Sequence, residues 1–363
     1  MRIAIVGAGN AGCAHAFKLA EGGHKITLVK TSHTLHEDNF DAITKNGGIW
    51  GVDSTNGNKK SFQKIALITR NIKEGIENAE FIMVLTQSLQ HPVIAQKVAS
   101  CITDKTKMIL LIPGNLGSLF FYKELNGKNI ILSEGESTPY DARIIDAGVV
   151  HILFKNVRNA LAFLPIVFQN EGIKMALQLV DTYKFIRKNI VESALHNPNL
   201  VVHTVGVIMS ASRIEMTKGE FWMYKESFSP SIWNLIEELD KEKNIIIEIF
   251  GGEKTSYLDA CRFRNETNLS RNSMDVFNDY ANKGGPKGPD SLNTRYLYED
   301  VHVGLCLLSM LGEKYNVKTP VADSLITIAS SLLRYDFKSN ARTLEDFGIE
   351  NMSNAELINF VNT

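Results

Sequence analysis

Cysteine is scarce in this chain: four in 363 residues, at Cys13, Cys101, Cys261 and Cys306. None forms a C-x-x-C pair and none is spaced with histidine as metal ligands are, so neither a disulfide framework nor a metal centre is encoded. Reduced, structural thiols and a cytoplasmic location are the expectation. An excess of charge of one sign is also missing: 39 basic residues meet 40 acidic ones, for a net charge of -1. A nucleic-acid footprint or a polybasic membrane surface would need a basic excess, so neither partner is expected. No apolar run approaches the roughly 20 residues that span a bilayer, and the first residues read as a strand rather than a signal peptide. Internal repeats and low-complexity tracts are absent as well. The length itself argues for two domains, because single cores stop growing near ~250–300 residues.

What is present begins at once. Met1-Arg-Ile-Ala-Ile-Val6 is a buried-strand pattern that runs into Gly7-Ala-Gly9-Asn10-Ala11-Gly12, a G-x-G-x-x-G motif, and then into a helical stretch from Cys13 to Glu21. Strand, glycine turn and helix in that order form the first βα unit of a dinucleotide-binding fold. Gly7 would permit the tight turn, Gly9 would let the backbone approach a pyrophosphate, and Gly12 would allow helix to pack closely on strand. Asn10 and Ala11 fall on the helix N-terminus, whose N–H groups and positive dipole favour phosphate. The second strand, Lys25–Val29, ends without the acid that would bind a ribose 2′-hydroxyl. Lys30, Thr31, Ser32 and His33 stand there instead, a set suited to a 2′-phosphate. NADP(H) is therefore the expected cofactor, with NAD(H) as the alternative.

The first half alternates short apolar runs with helical patterns. Strands are expected at Ile3–Val6, Lys25–Val29, Ile65–Thr69, Phe81–Val84, Met108–Leu111, Ile130–Ser133 and Val150–Phe154, with a helix over His91–Cys101. That alternation predicts a doubly wound parallel sheet of Rossmann type. Phe81–Val84 reads as its fourth strand, facing the nicotinamide half of a dinucleotide. Pro113-Gly-Asn-Leu-Gly117, after the fifth, reads as a loop near cofactor or substrate. From about Thr182 the texture turns helical. Helices are expected over Ile190–Arg213 (one long helix), Ser231–Phe250, Tyr298–Tyr315 and Val321–Leu333, with a capping box at Ser353-Asn-Ala-Glu356. The polar stretch Asn265–Asn293, ending in Gly284-Gly-Pro-Lys-Gly-Pro289, reads as a partly irregular lid or interdomain loop. The expectation is an α/β Rossmann domain over residues 1–185 and an all-α domain over 186–363, with the active site in a cleft between them.

Three pieces could carry chemistry. His196 and His203 are seven apart, and Asn199 precedes His203 by four, so one helical face would present all three. Asp300, in Arg295-Tyr-Leu-Tyr-Glu-Asp300, opens an apolar helix. A carboxylate that fixes the tautomer of a histidine makes it a proton donor to a carbonyl oxygen during reduction, so His203 with Asp300 is the candidate catalytic pair. Arg143, in Glu134-Gly-Glu-Ser-Thr-Pro-Tyr-Asp-Ala-Arg143, could clamp a substrate carboxylate bidentately.

Taken in order, these segments resemble the octopine/nopaline (opine) dehydrogenase family, within the wider 6-phosphogluconate dehydrogenase-like group. The shared stretches also include Asn199-Leu-Val-Val-His203, Phe228-Ser-Pro-Ser-Ile-Trp233, Thr319-Pro-Val-Ala-Asp323 and Arg342-Thr-Leu-Glu-Asp-Phe-Gly348, so the likeness covers nearly the whole chain. It implies a Rossmann domain joined to a helical catalytic domain. The implied reaction condenses an amino acid with a 2-oxo acid and reduces the imine with NAD(P)H. The family's catalytic histidine falls on His203 and its aspartate on Asp300; Asn199 and His196, on the polar helix face, remain the candidate substrate contacts. One departure keeps His196 open as the base: the family usually reads His-Pro at its histidine, whereas here Thr204 follows His203 and Pro198 follows His196-Asn197. No residue marks the amino donor, and a homodimer is left open. Two other readings are a ketopantoate-type 2-oxoacid reductase needing no amine, for which Lys188 is the nearest lysine, and a non-catalytic NADP(H) sensor.

Overall fold

The computed structural model describes residues 1–283 and 287–363, so the Gly284–Pro286 part of the expected loop lies outside the described residues. The chain divides into two compact units, Met1–Ile186 and Arg187–Thr363.

In chain order the first unit contains β1 (Arg2–Val6), α1 (Asn10–Glu21), β2 (Lys25–Val29), α2 (Glu37–Asn46), β3 (Gly48–Asp53), β4 (Lys59–Lys64), β5 (Leu67–Thr69), α3 (Ile72–Ile76) and β6 (Phe81–Val84). It continues with α4 (His91–Ala99), β7 (Met108–Leu111), α5 (Gly117–Leu125), β8 (Ile131–Gly135), β9 (Tyr140–Asp146), β10 (Val149–Lys155), β11 (Asn159–Leu164), α6 (Gln169–Leu179) and β12 (Tyr183–Ile186). Eight strands form the main sheet in the order β12-β11-β8-β7-β6-β1-β2-β5. From β5 across to β8 every pairing is parallel, and β8–β11 is antiparallel. The chain leaves β1 toward β2 and β5, then returns on the other side through β6 to β8. This reversal beside β1 is a topological switch point, where the carboxyl ends of the strands open a crevice for ligands. Central strands β6 and β7 are buried at every residue, which is why they read as unbroken apolar runs.

Val150–Phe154 is a strand, but it belongs to a second sheet of order β4-β3-β10-β9 and not to the main one. β10 pairs in parallel with β3 (Val149 opposite Trp50), a contact almost a hundred residues distant in sequence. Its edge strand β4, Lys-Lys-Ser-Phe-Gln-Lys, exposes alternate residues and carries no apolar signal.

The second unit contains α7 (Ile190–Leu195), α8 (Asn199–Ile208), α9 (Ala211–Thr217), α10 (Met223–Glu226), α11 (Pro230–Ile249), α12 (Tyr257–Asn265), α13 (Ser273–Lys283), α14 (Arg295–Tyr298), a π-helical turn (Val301–Leu305), α15 (Cys306–Tyr315), α16 (Pro320–Leu333) and α17 (Asn354–Val361). The single helix expected over Ile190–Arg213 is three. Pro198 lacks an N–H and restricts Asn197, which breaks the helix. The Asn197 side chain then accepts from the Asn199 N–H at 3.0 Å and starts α8 afresh. Helix α11 buries Ile236, Leu239 and Ile246 as its periodicity predicts, and Ile247 as well. The buried carboxylate of Glu242 on α11 accepts from the first free N–H groups of α16, Val321 at 2.7 Å and Ala322 at 3.0 Å. Part of the expected loop is helix α13, because Asn272 caps its first turn and Val276, Phe277 and Ala281 bury one face. The capping box at Ser353 and Glu356 opens α17. Among the described residues no helix is long and apolar enough to cross a membrane.

Candidate active site

In the first unit the glycine turn is built as a phosphate cradle. Gly7 has φ 120°, and a Cβ there would stand 2.5 Å from the Leu85 carbonyl oxygen, so no other residue fits. A Cβ on Gly12 would overlap the Gly7 carbonyl. On Gly9 it would meet only the His36 ring edge at 4.0 Å. Helix α1 starts at this opening with no side-chain cap and no acid in its first turn. Backbone N–H groups and the helix dipole thus converge on a place that admits an anion, and the residues present fit a dinucleotide pyrophosphate. The Asn10 Oδ1 accepts from the Ile144 N–H at 2.7 Å and ties α1 to β9, while its backbone, like that of Ala11, lies at the helix start.

Lys30 departs from expectation. It is buried, and its ammonium donates to Ser32 Oγ at 3.1 Å and to the Leu35 carbonyl while pairing with Glu37 at 3.2 Å. The β2–α2 loop curls back over it, so the charge points inward. Thr31 and Ser32 are half-buried and His33 is exposed. A cation that the sequence reading missed, Arg70, lies in the same cluster; its signal is its place one residue past the end of β5, the neighbour of β2.

On the β8–β9 segment, Glu134 is fully buried and accepts from the Leu116 N–H at 3.0 Å and the Ser118 N–H at 2.7 Å. It thereby holds the Pro113–Gly117 loop at the start of α5. Arg143 lies on β9 opposite His151 of β10, half-buried, and donates to the Ala142 carbonyl at 2.9 Å.

In the second unit, α8 brings His203 against the end of α14. His203 Nδ1 lies 2.7 Å from Asp300 Oδ2, and both side chains are buried. An ionised carboxylate only accepts, so Nδ1 carries the proton. The Tyr296 ring covers the imidazole at a centroid distance of 3.9 Å and 35°. The preceding Arg295 holds its guanidinium 5.7 Å from the Tyr296 ring centre, half exposed, with one N–H toward buried Glu299 at 3.3 Å. Nothing in the sequence around Arg295, the first residue of the stretch that ends at Asp300, marks it as functional. The α8 backbone comes this near because Gly304 in the π turn faces Leu200, whose Cα would lie 3.2 Å from a Cβ at that position.

The other two histidines are differently placed. His302 is occupied on both ring nitrogens, by the Tyr298 carbonyl and by the Tyr335 hydroxyl at 3.3 Å. The His196 side chain is wholly buried at the end of α7, with Nε2 3.0 Å from the Glu253 carbonyl, so it donates there. Burial first, then the charges of Arg187 and Lys243, push its pKa well below the ordinary value and keep it neutral. The break at Pro198 removes the common face that sequence spacing gave to His196 and His203, and the His196 side chain is enclosed in the second unit. Asn199 is half-buried in the first turn of α8, its backbone N–H held by Asn197.

Comparison with known proteins gives the two units separate matches. Residues 186–333 match the model described as NAD/NADP octopine/nopaline dehydrogenase, alpha-helical domain. Residues 3–133 match that of ketopantoate reductase PanE/ApbA. Over 97% of this chain and 96% of the relative, the sequence is 27% identical to an opine dehydrogenase of Arthrobacter sp. (strain 1C). Among solved structures, octopine dehydrogenase with NADH and L-arginine superposes with a TM-score of 0.74 at 14% identity, covering 98% of each chain. Yersinopine dehydrogenase with NADP+ bound gives 0.72 at 13%, covering 100% of this chain and 98% of that one.

Proposed function

We infer that this chain, a homologue of opine dehydrogenase whose second unit carries the octopine/nopaline dehydrogenase helical domain, is itself an NAD(P)-dependent opine dehydrogenase. The observation that carries the reading is the buried 2.7 Å His203–Asp300 contact inside that helical domain. The reaction joins an amino acid to a 2-oxo acid with loss of water and reduces the imine to a secondary amine. The cofactor, when bound on the glycine turn, supplies the hydride.

His203 acts as the proton donor and acceptor. Asp300 holds Nδ1–H and stabilises the imidazolium, so Nε2 can give a proton to the carbonyl oxygen as the amine adds and to the departing hydroxyl as water leaves. Tyr296 fixes the plane of the ring and shields it from solvent. Arg295, beside the pair and half exposed, offers a planar fork of donors for a substrate carboxylate. Arg143 is a second candidate clamp and Asn199 a polar contact; the two acids to be joined carry one carboxylate each. His196 serves as a neutral interior residue.

The match of residues 3–133 favours one alternative, a 2-oxoacid reductase that needs no amine. Following NAD(P)H absorbance with a panel of 2-oxo acids crossed with amino acids separates them. Oxidation only when both partners are present is the expected result. Turnover at comparable rate with the oxo acid alone would overturn the opine assignment. Silence throughout, with tight dinucleotide binding, would favour the sensor.

A further inference from the structure

We propose that Arg70 reads the adenosine 2′-phosphate of NADP(H), and that Glu37 is the internal anion this phosphate replaces. The inference rests on the dehydrogenase reading above and assigns the specificity of its cofactor site.

Placement comes first. In the main sheet Val6, Val29 and Thr69 are successive cross-strand partners at the carboxyl ends of β1, β2 and β5. The Lys30 N–H donates to the Thr69 carbonyl at 3.0 Å, so Arg70 leaves the sheet beside Lys30, at the edge where a dinucleotide's adenosine ribose lies. The loop from Lys30 to His36 bends back until the His36 ring reaches 4.0 Å from the Cβ position of Gly9. Arg70 and the pyrophosphate cradle therefore belong to one mouth.

The chemistry follows from which cation faces outward. Lys30 has a side chain only 2% exposed, donates to Ser32 Oγ and the Leu35 carbonyl and is ion-paired with Glu37, so it shapes the loop from within. Arg70 is 31% exposed. Its guanidinium lies 4.8 Å from the Phe40 ring centre, and one terminal nitrogen donates to the Ser32 carbonyl at 2.9 Å with His33 Nδ1 at 3.4 Å. The other terminal nitrogen pairs with Glu37. The ring and the Ser32 carbonyl fix the plane of the guanidinium, and Glu37 occupies the edge that an anion would take. The hydrogen bond from Arg70, then that from Lys30, holds the Glu37 carboxyl below its usual range. A phosphate monoester brings three acceptor oxygens and up to two charges against one for a carboxylate, and the planar fork suits it bidentately. Exchange of Glu37 for the 2′-phosphate strengthens the contact. A ribose 2′-hydroxyl makes no such exchange, so NADH leaves the Glu37–Arg70 pair in place.

The test is calorimetric binding of 2′,5′-ADP and 5′-AMP, alongside NADPH and NADH, to the full chain. The unaltered protein should bind 2′,5′-ADP more tightly than 5′-AMP. Arg70→Ala should weaken 2′,5′-ADP and NADPH about 10- to 100-fold, the worth of a charge-assisted contact, and change NADH by less than about 2-fold. Arg70→Lys should recover part of the loss, and Glu37→Gln, which removes the competitor, should tighten 2′,5′-ADP. Equal weakening of NADH and NADPH in Arg70→Ala would overturn the proposal and make Arg70 a loop strut. Tighter binding of NADH than NADPH by the unaltered protein would overturn it too while leaving the dehydrogenase reading intact. Binding of neither dinucleotide would sink both.

Discussion

Replacing Asp300 by Asn tests the catalytic pair with almost no change of shape. The contact at stake is a 2.7 Å hydrogen bond from a histidine to a carboxylate, with both side chains buried. A hydrogen bond to a charged group contributes about 1.5–3 kcal/mol, or roughly 10- to 150-fold in rate if it is fully needed in the transition state. The amide adds a second fault. Its NH2 can donate to Nδ1 and favour the tautomer with the proton on Nε2, and it offers no charge to stabilise the imidazolium. The two effects together predict a fall in kcat/KM of about 100- to 1,000-fold for the coupled reaction of amine and oxo acid. His203→Gln should cost at least as much. In the double variant the Asn should cost less than about 3-fold more, because residues acting as one unit are not additive. The measurement is steady-state NAD(P)H oxidation at saturating amine, with thermal unfolding as the control for folding. Losses that simply add, or an Asp300→Asn enzyme keeping a third of its activity, would refute the pairing as the source of catalysis.

Arg295→Ala should raise KM for the 2-oxo acid about 10- to 100-fold with a smaller effect on kcat, and Arg295→Lys should restore only part of it, because an ammonium lacks the planar fork. An unchanged KM for both acids would remove Arg295 from the substrate site. Acid should destabilise the fold well before the carboxylates titrate. Burial lowers the His15 pKa from 6.5 to about 4, and His196 shifts in the same direction. The unfolded chain therefore takes up protons below pH 6.5 that the folded chain refuses. Stability is complete above that pH and falls as the pH drops, by up to about 3 kcal/mol for His15 alone on reaching pH 4. Urea midpoints measured from pH 7 to 5 should decline; a flat profile would show that these histidines are not buried neutral.

How far the sequence could be read depended on whether a feature was local. Phe81–Val84 and Met108–Leu111 were legible to the residue because a strand buried on both faces must be apolar throughout. The turn at Gly7 was legible because two close backbone approaches and a positive φ leave glycine alone as a solution. The second sheet was not. Strand β4 buries none of its residues and β3 exposes Trp50 while burying Asp53, so neither shows an apolar alternation, and the pairing that holds them reaches from Trp50 to Val149. Lys30 shows a subtler limit. Its position and charge were read correctly, but whether a lysine points out or in is set by the path of the next six residues, which no local pattern fixes. His203 and Asp300, 97 residues apart, were paired on the chemistry of a carboxylate-held histidine and reinforced by resemblance to a family, since no spacing rule connects them.

The π turn explains why one stretch of chain can serve both the core and the site. Arg295–Tyr298, the turn at Val301–Leu305 and Cys306–Tyr315 run nearly without interruption, and the sequence reads most of it as a single helix. An α-helix advances about 100° per residue, and each π turn takes up one residue more than an α turn. That extra residue rotates everything before it by about 100° relative to everything after. After the turn, Leu307, Leu308 and Leu311 stay buried in the helical unit. Before it, Asp300 meets His203. In a uniform α-helix the phase that buries Leu308 and Leu311 would carry Asp300 away from the imidazole. Gly304 lies inside the same turn, where a side chain would press on the Leu200 backbone and part α8 from the segment bearing Asp300. The irregular turn and its glycine thus place a carboxylate and an imidazole from distant parts of the chain within one hydrogen bond, while the leucines beyond them keep their packing.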